Sequence, residues 1–337
     1  MTDWADLTRR ASFASHQFLG WIFWDQRAKD NLAALGVPDG LGHYITNRSA
    51  PLAIAGPEAV FAAFYTIKRE FIEFSLAHAT PHIKNWHDVT VARDAAVRAG
   101  LEEMTPQVIQ PFGALAEDLW KTVDAIPASG RVLFAAHKAW PRPTDPLMSA
   151  WNALNCIREW RGDSHFGILV NDNIGLVEAG LLHDAWMGYP KEWIPRSRGA
   201  DDAEIAIGLE KLGTRGFVTN GVVNDAGVAY RQEVEERTDA LCEMVWQHFG
   251  EQNTEKLLEI LEPVGERYVQ HINEIAGCLR RDHAAASYFD RRGMPMPTET
   301  PGENITCGSP VGAGIPARTI KLSSRCVNDA ECKVHGS

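Results

Sequence analysis

Apolar residues recur at helical spacing along most of the chain, most densely over residues 147–186. There the pattern predicts a long helix, a tight turn near Asn173–Gly175 and a second helix. Trp151, Leu154, Ile157, Trp160, Ile168 and Leu169 give the first helix enough apolar surface to be buried on much of its circumference. Within it Asn155, Arg158, Arg161, Gly162 and His165 follow one another at short spacings. Arg158, Arg161 and His165 fall in line on one face. A polar line on so apolar a helix is costly to bury unless it is paired or meets a ligand.

The same reading predicts helix over 3–35, ended by Gly36 and the Pro38–Gly40 region. Pro57 opens a further helix, in which Val60, Phe64, Ile67, Phe71, Phe74 and Leu76 keep nearly a 3.6-residue period until Thr80–Pro81. More helices follow over 83–125, broken near Pro106 and Pro111. Residues 131–146 read as extended at first and then as a proline-rich connector, the natural boundary between two halves. Asp201 and Asp202 offer caps for a helix running to Gly216. FVTNGVVND predicts two short strands joined by Asn220–Gly221. A long amphipathic helix follows, with Val234, Leu241, Met244, Val245 and Phe249 as its inner side. A last helix restarts at Asn253–Thr254 and runs to about Leu279. Three helices, a hairpin and a long helix are the order of a winged helix-turn-helix. This divides the chain into a helical half (1–140), a winged-helix half (141–285) and a Pro/Gly/Ser-rich tail (286–337). The tail reads as loosely attached, or as a peptide segment that docks on its own chain.

Composition narrows the functions. A hydrophobic fraction of 45% supports a sizeable core, and no apolar run reaches the ~20 residues that span a bilayer. With no signal-peptide pattern at the N-terminus, a cytoplasmic location is expected, with no membrane partner. A formal charge of −11 argues against a surface built to neutralise phosphates. Cys156, Cys242 and Cys278 sit in helical patterns and read as buried thiols. Cys307, Cys326 and Cys332 lie in the tail. With no CxxC pair, a structural zinc site is not indicated. Phosphate-binding and dinucleotide-binding glycine fingerprints are missing, as is a G-x-S-x-G element.

REWRGDSHFGILV (158–170) with GLVEAGLLH (175–183) resembles a family of actinobacterial helix-turn-helix proteins, with a pattern like R-x-H-R-G-D-x-H followed by E-A-x-x-L-H. HQFLGWIF near His16, YITNRSAPLAIAG (44–56), AAFY (62–65), LFAAHKAWPRPTDPLMSAW (133–151) and the segment from GLEKLGTRGF to EERTD resemble further blocks. Together they cover roughly residues 10–250. Trp160 stands where a His is usual, and the tail is atypical. The resemblance implies a mainly α, MarR-like winged-helix architecture and leaves open two related halves forming a pseudo-dimer. It implies little about activity.

The polar residues in the matched blocks are His16, Arg48, His137, Arg158, Arg161, Asp163, His165, Glu178 and His183. Arg158 and Arg161 could form a fork for a carboxylate or phosphate. His165, flanked by Gly162 and Gly167, is the first candidate for acid/base work, with Arg161 and Asp163 beside it. A structural Arg–Asp network is the rival reading. His183 reads as a helix-end histidine, and Asp184 as solvated. His165, His183 and Glu178 could also hold a metal, or a histidine a haem; no cofactor follows from their spacing. Trp151 and Trp160, among eleven tryptophans, could wall a pocket with His16, Arg48, His137 and Arg158. The leading expectation is a small-molecule- or peptide-binding protein, with enzymatic activity left open. A transcriptional regulator with an effector pocket and a non-catalytic scaffold are the alternatives. DNA is disfavoured as a partner: the third helix carries Asp201, Asp202, Glu204 and Glu210 against Lys211 and Arg215, and the hairpin has no basic residue.

Overall fold

The computed structural model describes residues 2–38 and 42–275. Cys278 and the tail, with Cys307, Cys326, Cys332 and the expected docking segment, lie outside the described residues.

The chain begins with α1 (Trp4–Gly20), capped by Asp3, whose side chain accepts from the Asp6 N–H. A single 3-10 turn at Trp21–Phe23 leads to α2 (Gln26–Ala34), capped by Asp25. α3 (His43–Ser49) follows. The helix expected from Pro57 is two helices, α4 (Pro57–Phe64) and α5 (Arg69–Ala79). The break is at Tyr65, which takes a φ of 46°. Its hydroxyl donates to the Ile174 carbonyl and its ring stacks on Phe166. Contacts with residues a hundred positions away hold this strained turn, so local periodicity does not reveal it.

α6 (Trp86–Met104), α7 (Ile109–Gly113) and α8 (Ala116–Ala125) bring the chain to α9 (Val132–Lys138). The extended start expected near 131 is therefore helical. Its third residue, Phe134, donates its N–H to Asp163 Oδ2 at 2.9 Å, a cap supplied from another helix.

α10 (Pro146–Asn171) is the axis of the fold. Asp145 caps it, and Leu147, Trp151, Leu154, Ile157 and Trp160 are buried on its several sides. Its first half packs in the main core with α1, α6, α8 and α14 residues such as Phe18, Val97, Leu119 and Trp246. Its last turns join a second core. Asn173, at φ 53°, makes the turn into α11 (Leu176–Met187). After α12 (Trp193–Ser197), Asp201 and Glu204 close a reciprocal capping box at the start of α13 (Asp202–Thr214). β1 (Val218–Thr219) pairs antiparallel with β2 (Val222–Val223). Asn220 and Gly221 take φ values of 52° and 74°, the left-handed pair that a two-residue hairpin needs. This is the one sheet among the described residues. Residues 1–140 thus have no hairpin of their own there.

α14 (Asp225–Phe249) buries Val234, Val245 and Phe249, but Leu241 is exposed. The expected last helix is α15 (Glu251–Leu261), a 3-10 turn at Glu262–Val264 and α16 (Gly265–Ile275). Pro263 cannot continue the α15 hydrogen-bond ladder. Among the described residues no helix is long and apolar enough to cross a membrane.

Candidate functional site

A cavity opens where α3, the α4–α5 link, α10, α11, the α12–α13 connection and α14 meet. Its volume is about 160 Å³, and Arg48, His165, His183, Arg198 and Arg231 line it. Phe64, Ile67, Phe166, Leu169 and Leu182 supply an apolar wall. That is room for a ligand of about the size of benzene, and apolar walls with a few polar groups are the usual make-up of ligand sites.

The sequence places Arg48 on α3, where a cation needs a buried partner. That partner is Glu159 of α10, whose side chain is wholly buried. Arg48 Nε donates to Glu159 Oε1 at 3.1 Å, Nη2 donates to Oε2 at 2.7 Å, and Nη1 donates to the Tyr44 hydroxyl at 2.8 Å. The guanidinium also lies 4.9 Å from the Phe64 ring centroid. Arg158 takes the same carboxylate from the other side. Burial alone would raise the Glu159 carboxyl, but Arg158 and Arg48 reverse the effect and hold it at about 2. Burial depresses Arg158 below its ordinary value, with Glu159 opposing and Arg48 adding to the shift. His137 closes this network: its Nε2 donates to the Arg48 carbonyl, and its Nδ1 accepts from Asn155. Burial pushes His137 down to about 4, so the ring is neutral.

Arg231 and Arg161 form a second, balanced network on the α14 side. Arg231 pairs with Glu235 at 2.9 Å, and Arg161 pairs with Glu235 and with Asp239 at 2.9 Å. Arg231 Nη2 also reaches His183 Nδ1 at 3.4 Å, where the imidazole must be the acceptor. Burial, then Arg231, lower His183 well below its usual value. It is a neutral ring with a cation beside it, not a helix-end charge.

The tautomer of His165 follows from its neighbour. Thr238 Oγ1 donates its single proton to the Val234 carbonyl at 2.7 Å. In its 3.0 Å contact with His165 Nδ1 it can therefore only accept, so the imidazole proton is on Nδ1.

Arg198 comes from the α12–α13 connection. Its Nη1 donates to the Thr66 hydroxyl, and its carbonyl accepts the Lys68 N–H at 3.1 Å. No carboxylate among the described residues lies within ion-pair distance of it. Burial lowers its pKa from the ordinary arginine value. Behind it, Asp184 is buried rather than solvated, and both its oxygens accept the Ile194 N–H. Burial raises Asp184 to about 7.

Of the residues singled out in the sequence, Arg48, His165 and His183 line the cavity, and several do not. Arg158 and Arg161 are spent on carboxylates, and Asp163 caps α9. Gly162 only faces the Arg48 guanidinium at ordinary contact distance, and nothing lies near Gly167. His16 is exposed on α1. Trp151 and Trp160 are core residues, covered by Arg93 and Arg131 at 4.8 and 3.9 Å. Glu178 pairs with Lys211 at 3.3 Å, so it does not join His165 and His183. Among the described residues no group of three or more His, Cys, Asp and Glu side chains could hold a metal ion. Arg198 and Arg231 were not among the pocket candidates. The signal for Arg231 was Arg231, Glu235 and Thr238 recurring at spacings of four and three on the inner side of α14.

The helix expected to meet DNA in a winged helix-turn-helix is α13. Lys211 is paired with Glu178, and Arg215 donates to the Asp172 and Asn173 carbonyls at the end of α10. Asp202, Ala203, Ala206, Ile207 and Glu210 are exposed on α13. Comparison with known families matches residues 8–274 to a helix-turn-helix family. The chain belongs to that family. No curated protein and no solved structure matches this helix-turn-helix protein.

Proposed function

We propose that this helix-turn-helix protein binds a small organic anion in the cavity between its N-terminal helices and α10–α14. In this reading α10, α11, α13 and the β1–β2 hairpin form a winged helix of MarR type that serves as the ligand-holding scaffold. One observation carries the proposal. Three guanidiniums, those of Arg48, Arg198 and Arg231, line one cavity in a chain whose formal charge is −11. Desolvating cations at a concave apolar site is costly, and an anionic ligand offsets that cost. His165, with its proton held on Nδ1, adds a polar group to the same wall.

The test is a thermal-shift series of small organic acids against their primary amides. Acids should raise the melting temperature by a few degrees near 100-fold excess over their dissociation constant, following ordinary ligand linkage. Amides of the same skeleton should not. If no acid exceeds its amide, the reading is wrong.

A transcriptional regulator with the same cavity as effector site is the second reading, and family membership favours it. The exposed face of α13 weighs against it, because its two cations are already satisfied within the chain. Fluorescence anisotropy with the protein's own upstream duplex and a random duplex decides between them. Equal affinity at physiological salt removes the regulator.

A further inference from the structure

The cavity's charges do not balance, and the imbalance is specific. Arg48 and Arg158 share one carboxylate, Glu159. Arg231 and Arg161 share two, Glu235 and Asp239, and are neutralised. Arg198 has the Thr66 hydroxyl and, among the described residues, no carboxylate in ion-pair range. Five guanidiniums thus face three carboxylates. Two further carboxyls stand nearby, Asp163 and Asp184, but both are spent on backbone N–H groups. Burial holds each at about 7, so neither brings a full negative charge at neutral pH. The imidazoles of His137 and His183 are neutral and add nothing positive.

The surplus is also localised. It lies on the side of the cavity formed by Arg48 and Arg198, against the Phe64 ring and the Thr66 hydroxyl. Arg48 is rigidly held by Glu159 and Tyr44, whereas Arg198 is held by a neutral hydroxyl that a stronger acceptor can replace. Phe166, Leu169 and Leu182 add apolar surface to the same cavity.

We infer that the ligand is a doubly charged organic anion, a phosphate monoester or a dicarboxylate with an apolar body, whose charged end bridges Arg198 and Arg48. This rests on the anion-binding reading above and goes beyond it in fixing the charge. Arg198 is the residue that discriminates one charge from two, because it is the cavity cation with no carboxylate in ion-pair range among the described residues.

Matched probes separate the two claims. Phenyl phosphate and phenyl sulfate share shape and differ in charge at about pH 7, above the second phosphate pKa of about 6. Succinate and succinamate do the same for carboxylates. Titration calorimetry of the full chain should show the dianion of at least one pair binding about tenfold or more tightly than its monoanion. The pair that shows the preference distinguishes phosphoryl from dicarboxylate. Arg198→Gln should reduce that preference to about twofold or less while monoanion binding persists, in a protein whose melting temperature is checked separately. Equal binding within both pairs overturns the dianion inference and leaves the anion reading standing. No binding by any of the four overturns both. A preference that survives in Arg198→Gln overturns the assignment to Arg198.

Discussion

Arg48 grips Glu159 from 111 residues away in the chain, donating to both carboxylate oxygens. One buried carboxylate thereby ties α3 to the middle of α10 and serves Arg158 as well.

Glu159→Gln leaves two buried guanidiniums with no counter-charge. It should cost about 3–5 kcal/mol, read as a lower urea midpoint with unchanged slope. A loss below about 1 kcal/mol would mean the pair is solvated. The wild type should also lose stability in acid more steeply than the variant. The Glu159 carboxyl is held at about 2 against an ordinary 4.5. Its contribution is therefore complete above about 4.5 and disappears as the pH falls toward 2.

Asp163 predicts the opposite slope. Burial raises its carboxyl from 3.8 to about 7, although the N–H groups of Phe134 and Leu133 pull it back. The folded chain holds a proton that the unfolded chain releases between those values. Stability should therefore fall as the pH rises from about 4 to 7. Asp163→Asn keeps an acceptor for Phe134 and should flatten part of that slope. Asp184, also raised to about 7, retains the rest. Chemical denaturation at several pH values measures it, and an unchanged slope in the variant refutes the assignment.

Thr238→Val keeps the shape of a fully buried side chain and removes the acceptor for His165. Nitrogen NMR of the His165 imidazole, at a pH high enough that it carries one proton, should show that proton on Nδ1 in the wild type and a shift toward Nε2 in the variant. The stability cost should be about 0.5–1.5 kcal/mol, that of one lost hydrogen bond. The same tautomer in both proteins would contradict the relay from Val234 through Thr238.

The elements legible in the sequence were those with local causes. The α10–α11 pair follows from apolar periodicity and a turn at Asn173, the start of α13 from the Asp201 cap, and the hairpin from Asn220–Gly221. α9 and the break at Tyr65 were not legible, because Asp163 and Ile174 stabilise them from far along the chain. The candidate site divides in the same way. Spacing put Arg158, Arg161 and His165 on one line of α10, yet it does not say what lies opposite each. Arg158 and Arg161 meet carboxylates, while His165 meets a hydroxyl at the cavity wall. Arg198 had no pattern to reveal it: it lies in an irregular connection, and only the folded chain brings it beside Arg48.

The start of α13 is moored to the first half of the chain at neighbouring points. Lys68 donates its backbone N–H to the Arg198 carbonyl and its ammonium to Glu204, while Thr66 holds the Arg198 side chain. Segment 65–68 therefore serves as a dock for a helix that sequence boundaries would assign to a separate half. A fragment cut near residue 141 would keep all of α10–α16 and lose the quay against which α13 is aligned.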